Sequence, residues 1–180
     1  MSVPMNVKRA RGMPETEFLE LSWEFFGELC RVLAVKVATD RYQPELVVGI
    51  AKAGVIPGAV VASILRCDFY SLKISRDRGG VRSRVRPKIL SAAPKEAAGR
   101  RVLVVDEICT SGETMRLALN ALRQVSPAEV RTATSLVKVG GYKPDYHALE
   151  TSATVVFPWD RHILNEGGEI VTNPIYDGML

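Results

Sequence analysis

Apolar residues along this chain alternate between two rhythms. Leu46 to Ala51 and Val102 to Val105 are short unbroken apolar runs, the pattern of strands covered on both faces. Phe25, Phe26, Leu29, Val32, Leu33 and Val37 recur at helical spacing, so a helix is expected from a Ser22 cap to about Asp40. Pro44 then breaks the chain. Val55 to Leu65 reads as a helix that tolerates Pro57 in its first turn, and Asp68 to Ile74 as a strand. Met115, Leu117, Ala118, Ala121 and Leu122 predict a helix over Glu113 to Val125. Alternating Val130, Thr132, Thr134 and Leu136 predict a strand over Glu129 to Val139. Tyr146 to Leu149 and Ala153 to Phe157 read as shorter strands, and residues 161–180 as irregular. Strands alternating with helices predict an α/β fold: a twisted parallel sheet flanked by helices on both faces, with right-handed crossovers.

Composition narrows the class. A chain of 180 residues with 47% apolar and 24% charged residues can bury one sizeable core. Residues 1–15, with Lys8, Arg9 and Arg11 and no apolar stretch behind them, read as a mobile basic tail rather than a targeting segment. Residues 16–180 then form a single domain. A net charge of +4 suits an anionic substrate without requiring nucleic acid as a partner. Cys30, Cys67 and Cys109 show no paired spacing, which points to a reducing cytoplasm. His147 and His162 lack metal-ligand spacing. The run Ala53 to Leu65 is too short to span a membrane and holds Gly54, Pro57 and Gly58, so no membrane partner is expected.

The stretch Arg101 to Met115 carries the candidate chemistry. Two adjacent carboxylates, Asp106 and Glu107, follow an apolar strand, then come Thr110, Ser111, Gly112, Glu113 and Thr114, then a helix. Such strand-to-helix loops are where open α/β sheets bind ligands. Gly112 permits positive φ and close approach, and amides at a helix start attract an anion. Thr110, Ser111 and Thr114 add hydroxyl donors, so one phosphate fits here. The two acids, anionic themselves, can accept hydrogen bonds from sugar hydroxyls or hold a metal. A plain helix cap beside two solvated acids is the bland alternative. Cys109 reads as buried filler rather than nucleophile. No Walker loop, G-x-G-x-x-G run or G-x-S-x-G elbow occurs.

From Val102 to Thr114 this pattern resembles the ribose-phosphate-binding signature of the type I phosphoribosyltransferases. The resemblance extends over roughly residues 20 to 162 and implies that family's fold, with a small C-terminal hood. It implies transfer of phosphoribose from 5-phosphoribosyl 1-diphosphate to a nucleobase. Asp106 and Glu107 would be catalytic, and Thr110, Ser111, Gly112, Glu113 and Thr114 would hold the phosphoribose. Mg2+ is the implied cofactor, with Asp106 and Asp160 as its carboxylate ligands. The resemblance also implies a homodimer or higher homo-oligomer.

Other clusters extend the likeness. Ala51-Lys52-Ala53-Gly54 follows an apolar strand, and a lysine in such a turn is a point charge for phosphate. In the family a loop at this place binds pyrophosphate; Ala53 replaces its usual first glycine. Arg76, Arg78, Arg82, Arg84, Arg86 and Lys88 form a basic run that is by default a solvated loop. The resemblance makes it a lid over pyrophosphate; the run matches no family motif closely, and Arg86 is taken from it as the direct phosphate contact. Lys138 ends a strand, where 6-oxopurine members use a lysine to reach the exocyclic oxygen of the base. Val155-Val156-Phe157-Pro158-Trp159-Asp160 resembles the hood of xanthine–guanine phosphoribosyltransferases, which assigns Val155, Trp159 and Asp160 to the base.

Two positions depart from the purine pattern. Thr110 stands where many purine members carry an aspartate, and is closer to the orotate-type loop. Thr154 stands where members with the Pro-Trp motif often carry a stacking Trp. The expected acceptor is hypoxanthine, guanine or xanthine. The alternatives are a transferase for a pyrimidine or orotate, and a weakly catalytic regulator of the same fold that binds nucleotide and nucleic acid.

Overall fold

The computed structural model describes residues 7–9, 17–75 and 87–177. Two compact units emerge, Leu29–Thr151 and a second built from Met1–Glu28 with Ser152–Leu180. In chain order, β1 (Val7–Arg9) and β2 (Glu17–Glu20) precede α1 (Trp23–Thr39), which runs from the second unit into the first. Ser22 caps α1 as the sequence predicts, its Oγ accepting from the Phe25 N–H at 3.1 Å.

The larger unit continues with β3 (Leu46–Ala51), α2 (Val55–Leu65), β4 (Asp68–Ser75) and β5 (Lys88–Ile89). It is completed by β6 (Arg101–Cys109), α3 (Glu113–Arg123), β7 (Glu129–Lys138) and β8 (Tyr146–Thr151). These strands form one sheet in the order β5-β4-β3-β6-β7-β8. All neighbouring pairs are parallel except β4 with β5, so the predicted parallel sheet gains an antiparallel edge. β5 escapes the sequence pattern because it is only two residues long. Helices cover both faces. Met115, Ala118 and Leu122 of α3 pack on the face carrying Val48, Ile50, Val102 and Val104. Gly58 of α2 meets the opposite face, where an added Cβ would lie 2.9 Å from the Phe69 ring and 3.2 Å from the Gly49 Cα. That double cover is why β3 and β6 read as continuous apolar runs. At the N-terminal ends of the strands, Arg131 bonds the Tyr146 hydroxyl oxygen at 2.6 Å and pairs with Asp40, and its guanidinium lies 4.4 Å from the Tyr42 ring centroid.

Topology decides where a ligand goes. From β3 the chain moves outward to β4, then crosses back to place β6 on the other side of β3. The strand order therefore reverses between β3 and β6, and the crevice at their carboxyl ends is the binding place of such sheets.

The second unit adds β9 (Thr154–Val156), β10 (His162–Leu164) and β11 (Ile170–Thr172). β2 pairs antiparallel with β1 and parallel with β9. Phe18, Val156 and Tyr176 form its small core. Two expectations change here. Val7–Arg9, inside the stretch read as a tail, is a strand of this sheet. The segment read as irregular contains the β10–β11 hairpin, closed by an Asn165 N–H to Glu169 carbonyl bond at 2.9 Å, and a 3-10 turn at Pro174–Tyr176. Its strands are three residues each, too short to show a period. Among the described residues, no helix is long and apolar enough to cross a membrane.

Candidate active site

Two loops meet at the reversal point. The first leaves β3 at Ala51, passes a cis Ala51–Lys52 bond and enters α2 at Gly54. Gly54 is needed for closeness rather than for its backbone angles, which are helical. A Cβ there would sit 2.7 Å from Asp106 Oδ1, 2.9 Å from the Asp106 Cα and 2.7 Å from the Ile50 carbonyl oxygen. No residue but glycine lets this loop lie against the end of β6.

The second loop grows from β6 itself. Pairing with β3 stops at Gly49↔Val105, whereas pairing with β7 runs on to Cys109↔Val137. Beyond Val105 the strand thus stays held on one edge only, and the acid pair sits there. The apolar run predicts a strand ending at Val105; β7 carries it four residues further, through Asp106 and Glu107 to Cys109. Asp106 is buried to 8% exposure and its Oδ1 accepts the Glu107 N–H at 3.0 Å. Gly112, at φ 77, caps α3 without offering a side-chain acceptor to its first turn. The nearest substitute is Ser111 Oγ, a long 3.4 Å from the Glu113 nitrogen. A helix start so arranged favours an anion. Between the loops lies a cleft of about 610 Å³, bounded by Lys52, Lys73, Asp106, Glu107, Thr110 and Thr114.

Residues 21–166 match the phosphoribosyl transferase domain family. The chain belongs to this family. Across 155 residues it is 24% identical to the xanthine-guanine phosphoribosyltransferase of Gluconobacter oxydans, covering 84% of this chain and 90% of that one. It is 35% identical over 134 residues to the orotate phosphoribosyltransferase of Methylobacterium, covering 73% of this chain but only 63% of that relative. The purine phosphoribosyltransferase structure from Pyrococcus horikoshii shares the fold, with a TM-score of 0.71, 23% identity, and coverage of 83% of this chain and 98% of that one.

The phosphoribosyltransferase cleft brings together eight residues singled out from the sequence. Ala51, Lys52 and Ala53 line it from the first loop, Asp106 and Glu107 from β6, and Thr110, Gly112 and Thr114 from the second loop. Gly54 and Ser111 belong to the same loops, and Glu113 opens α3. Arg86 and the rest of residues 76–86 lie outside the described residues. Lys138 ends β7 and does not line this cleft. Burial pushes its ammonium below the ordinary lysine range.

Val155, Trp159 and Asp160 belong to the second unit. Trp159 stacks on Phe157 at 4.7 Å and meets Phe26 edge-on at 4.7 Å, so one face of its ring is already engaged. Asp160 Oδ2 accepts from the Tyr176 hydroxyl at 2.8 Å, and its carbonyl from Asn173 Nδ2 at 2.9 Å.

Lys73 also lines the cleft and carries no signal in the sequence pattern. It sits in β4, among alternating positions of ordinary strand polarity.

Among the described residues, no group of three or more His, Cys, Asp or Glu side chains is placed to hold a metal. Magnesium needs no such cage: it binds through one or two carboxylates, substrate phosphates and waters. Asp106 and Glu107, hard oxygen donors on the cleft wall, fit that requirement.

One titrating group lies away from the cleft. Burial first, and the nearby Lys36 cation second, hold the His147 imidazole below its ordinary value. As pH falls through about 6.5 the unfolded chain takes up a proton that the folded state resists, so stability falls. His147→Gln is expected to flatten the decline in melting temperature between about pH 6.5 and pH 5. An unchanged slope in thermal scans would show that His147 carries none of it.

Proposed function

We propose that this phosphoribosyltransferase moves phosphoribose from 5-phosphoribosyl 1-diphosphate to a 6-oxopurine (hypoxanthine, guanine or xanthine), releasing pyrophosphate. The observation that carries the reading is the meeting of a lysine-bearing loop and an acid-pair loop at the sheet's reversal point, on one cleft. Thr110, Ser111, Gly112, Glu113 and Thr114 receive the 5′-phosphate, Glu113 through its backbone. Asp106 and Glu107 accept from the ribose hydroxyls. Their negative charge stabilises the positive charge that develops as the bond from the anomeric carbon to pyrophosphate breaks. The bonding electrons leave with pyrophosphate, and a ring nitrogen of the base closes the new bond and gives up its proton. Ala51 to Gly54 and Lys73, with Arg86, receive the pyrophosphate. Magnesium, when bound, supplies charge neutralisation for the departing group.

Lys138 donates to the exocyclic oxygen of the base. Its lowered affinity for a proton reflects partial loss of water, which strengthens a direct hydrogen bond. The base-facing roles of Val155, Trp159 and Asp160 belong to the same proposal. So do a single catalytic domain over residues 16–180, a homo-oligomer, and a reducing cytoplasmic setting for the three free cysteines.

Thr110 supports a second reading. A threonine cannot take up a purine proton at neutral pH, and the orotate relative has the higher identity of the two reported above. Pyrophosphate release across hypoxanthine, guanine, xanthine, adenine, uracil and orotate separates the readings. We expect turnover with a 6-oxopurine and a raised KM for that base in Lys138→Ala. Turnover with orotate alone would replace the purine assignment by the second reading.

A further inference from the structure

A loop that cradles phosphate does so with N–H groups, so its carbonyls must point away and find partners elsewhere. Here those partners come from outside the loop. The Tyr142 N–H donates to the Thr110 carbonyl at 2.8 Å, and Arg116 Nη1 donates to the Ser111 carbonyl at 3.0 Å. The turn that delivers Tyr142 is closed by the Gly141 N–H on the Lys138 carbonyl at 2.9 Å. Gly141 passes so close that an added Cβ would lie 2.4 Å from the Thr110 carbonyl oxygen. The Tyr142 side chain occupies the space beside Gly112, where a Cβ would meet its Cγ at 2.5 Å. The Arg116 guanidinium lies 5.1 Å from the centroid of that ring and joins the two holds.

We propose that Tyr142 and Arg116 are positioning residues, a clamp that presets residues 110–114 for the donor's 5′-phosphate. The proposal rests on the assignment of that loop to the 5′-phosphate made above. Without the ring, Gly112 loses the wall that holds it at φ 77. Without the guanidinium, the Ser111 carbonyl is free to turn inward toward the anion. Neither residue lines the cleft; both act through the loop.

Ligand titrations without any base test the clamp independently of the acceptor. The ligands are 5-phosphoribosyl 1-diphosphate with magnesium, ribose 5-phosphate, and pyrophosphate with magnesium. Tyr142→Ala and Arg116→Ala are expected to weaken the first two by a common factor of about ten, the scale of one lost hydrogen bond or cation–π contact. Pyrophosphate, held by the other loop, should change by less than about twofold, whereas general loss of structure would weaken all three. Tyr142→Phe, which keeps the ring, should restore wild-type affinity. Unchanged affinity for ribose 5-phosphate in both alanine variants, or equal weakening of all three ligands, overturns the clamp. Wild-type protein that binds pyrophosphate but not ribose 5-phosphate overturns the loop assignment and the clamp with it.

Discussion

Asp106→Asn is expected to lower kcat by about 10²- to 10³-fold, the usual cost of losing one preorganised electrostatic contact to a transition state. The substitution keeps shape and removes charge. An asparagine Oδ1 can still accept the Glu107 N–H that Asp106 accepts at 3.0 Å, so the end of β6 should hold its geometry. What disappears is a negative charge on a wall of low exposure, where water screens it poorly. The loss should fall on kcat rather than on affinity for the donor, because positive charge at the anomeric carbon is far greater in the transition state than in the ground state. Glu107→Gln should cost less, since Glu107 is only half-buried and better screened. The two carboxylates are adjacent, so the double variant should not show the sum of the separate losses. Steady-state rates at saturating donor, with direct titration of donor, decide the matter. A kcat within twofold of wild type, at unchanged melting temperature, would remove Asp106 from the chemistry.

Gly54→Ala is expected to be nearly as damaging, by a different route. The added methyl would press on the Asp106 Cα at 2.9 Å and the Ile50 carbonyl oxygen at 2.7 Å. Both belong to buried strands of the central sheet, which cannot retreat cheaply. The loop must therefore lift away from β6, carrying Lys52 with it and widening the gap between the pyrophosphate and ribose sides of the cleft. A displacement near 1 Å is enough for a loss of about 10²-fold in kcat/KM. The melting temperature should fall as well, because the strain persists without ligand. Pyrophosphate affinity, measured by titration, should drop with kcat/KM. A variant with full pyrophosphate affinity and normal turnover would show that the close approach of the two loops has no part in function.

How much of this was legible beforehand differs between elements. β3 and α2 match their predicted spans to the residue, because Pro44 and Gly54 punctuate an otherwise apolar stretch. For β6 the apolar run predicts only the part to Val105, because an acid pair after such a run has the pattern of a strand end. Its continuation depends on hydrogen bonds to β7, and a local window does not contain them. The β10–β11 hairpin carries a turn signal in Gly167-Gly168, but its three-residue strands are too short to show a period. Lys73 shows the same limit from another side: β4 carries it to the cleft only because that strand lies beside β3.

By itself the sequence determined the alternation of strands and helices, the two strand-to-helix loops, and the family. Each of these depends on residues close together in the chain: apolar period, a glycine at a helix start, two carboxylates after a strand. Tertiary structure alone decided that the strand order reverses between β3 and β6, which sets the two loops face to face. It also decided that Gly54 touches Asp106 and that Tyr142 and Arg116 hold the loop before α3. Those are contacts between segments far apart in sequence, settled by sheet register and by which backbone can approach which, and short-range pattern carries no record of either.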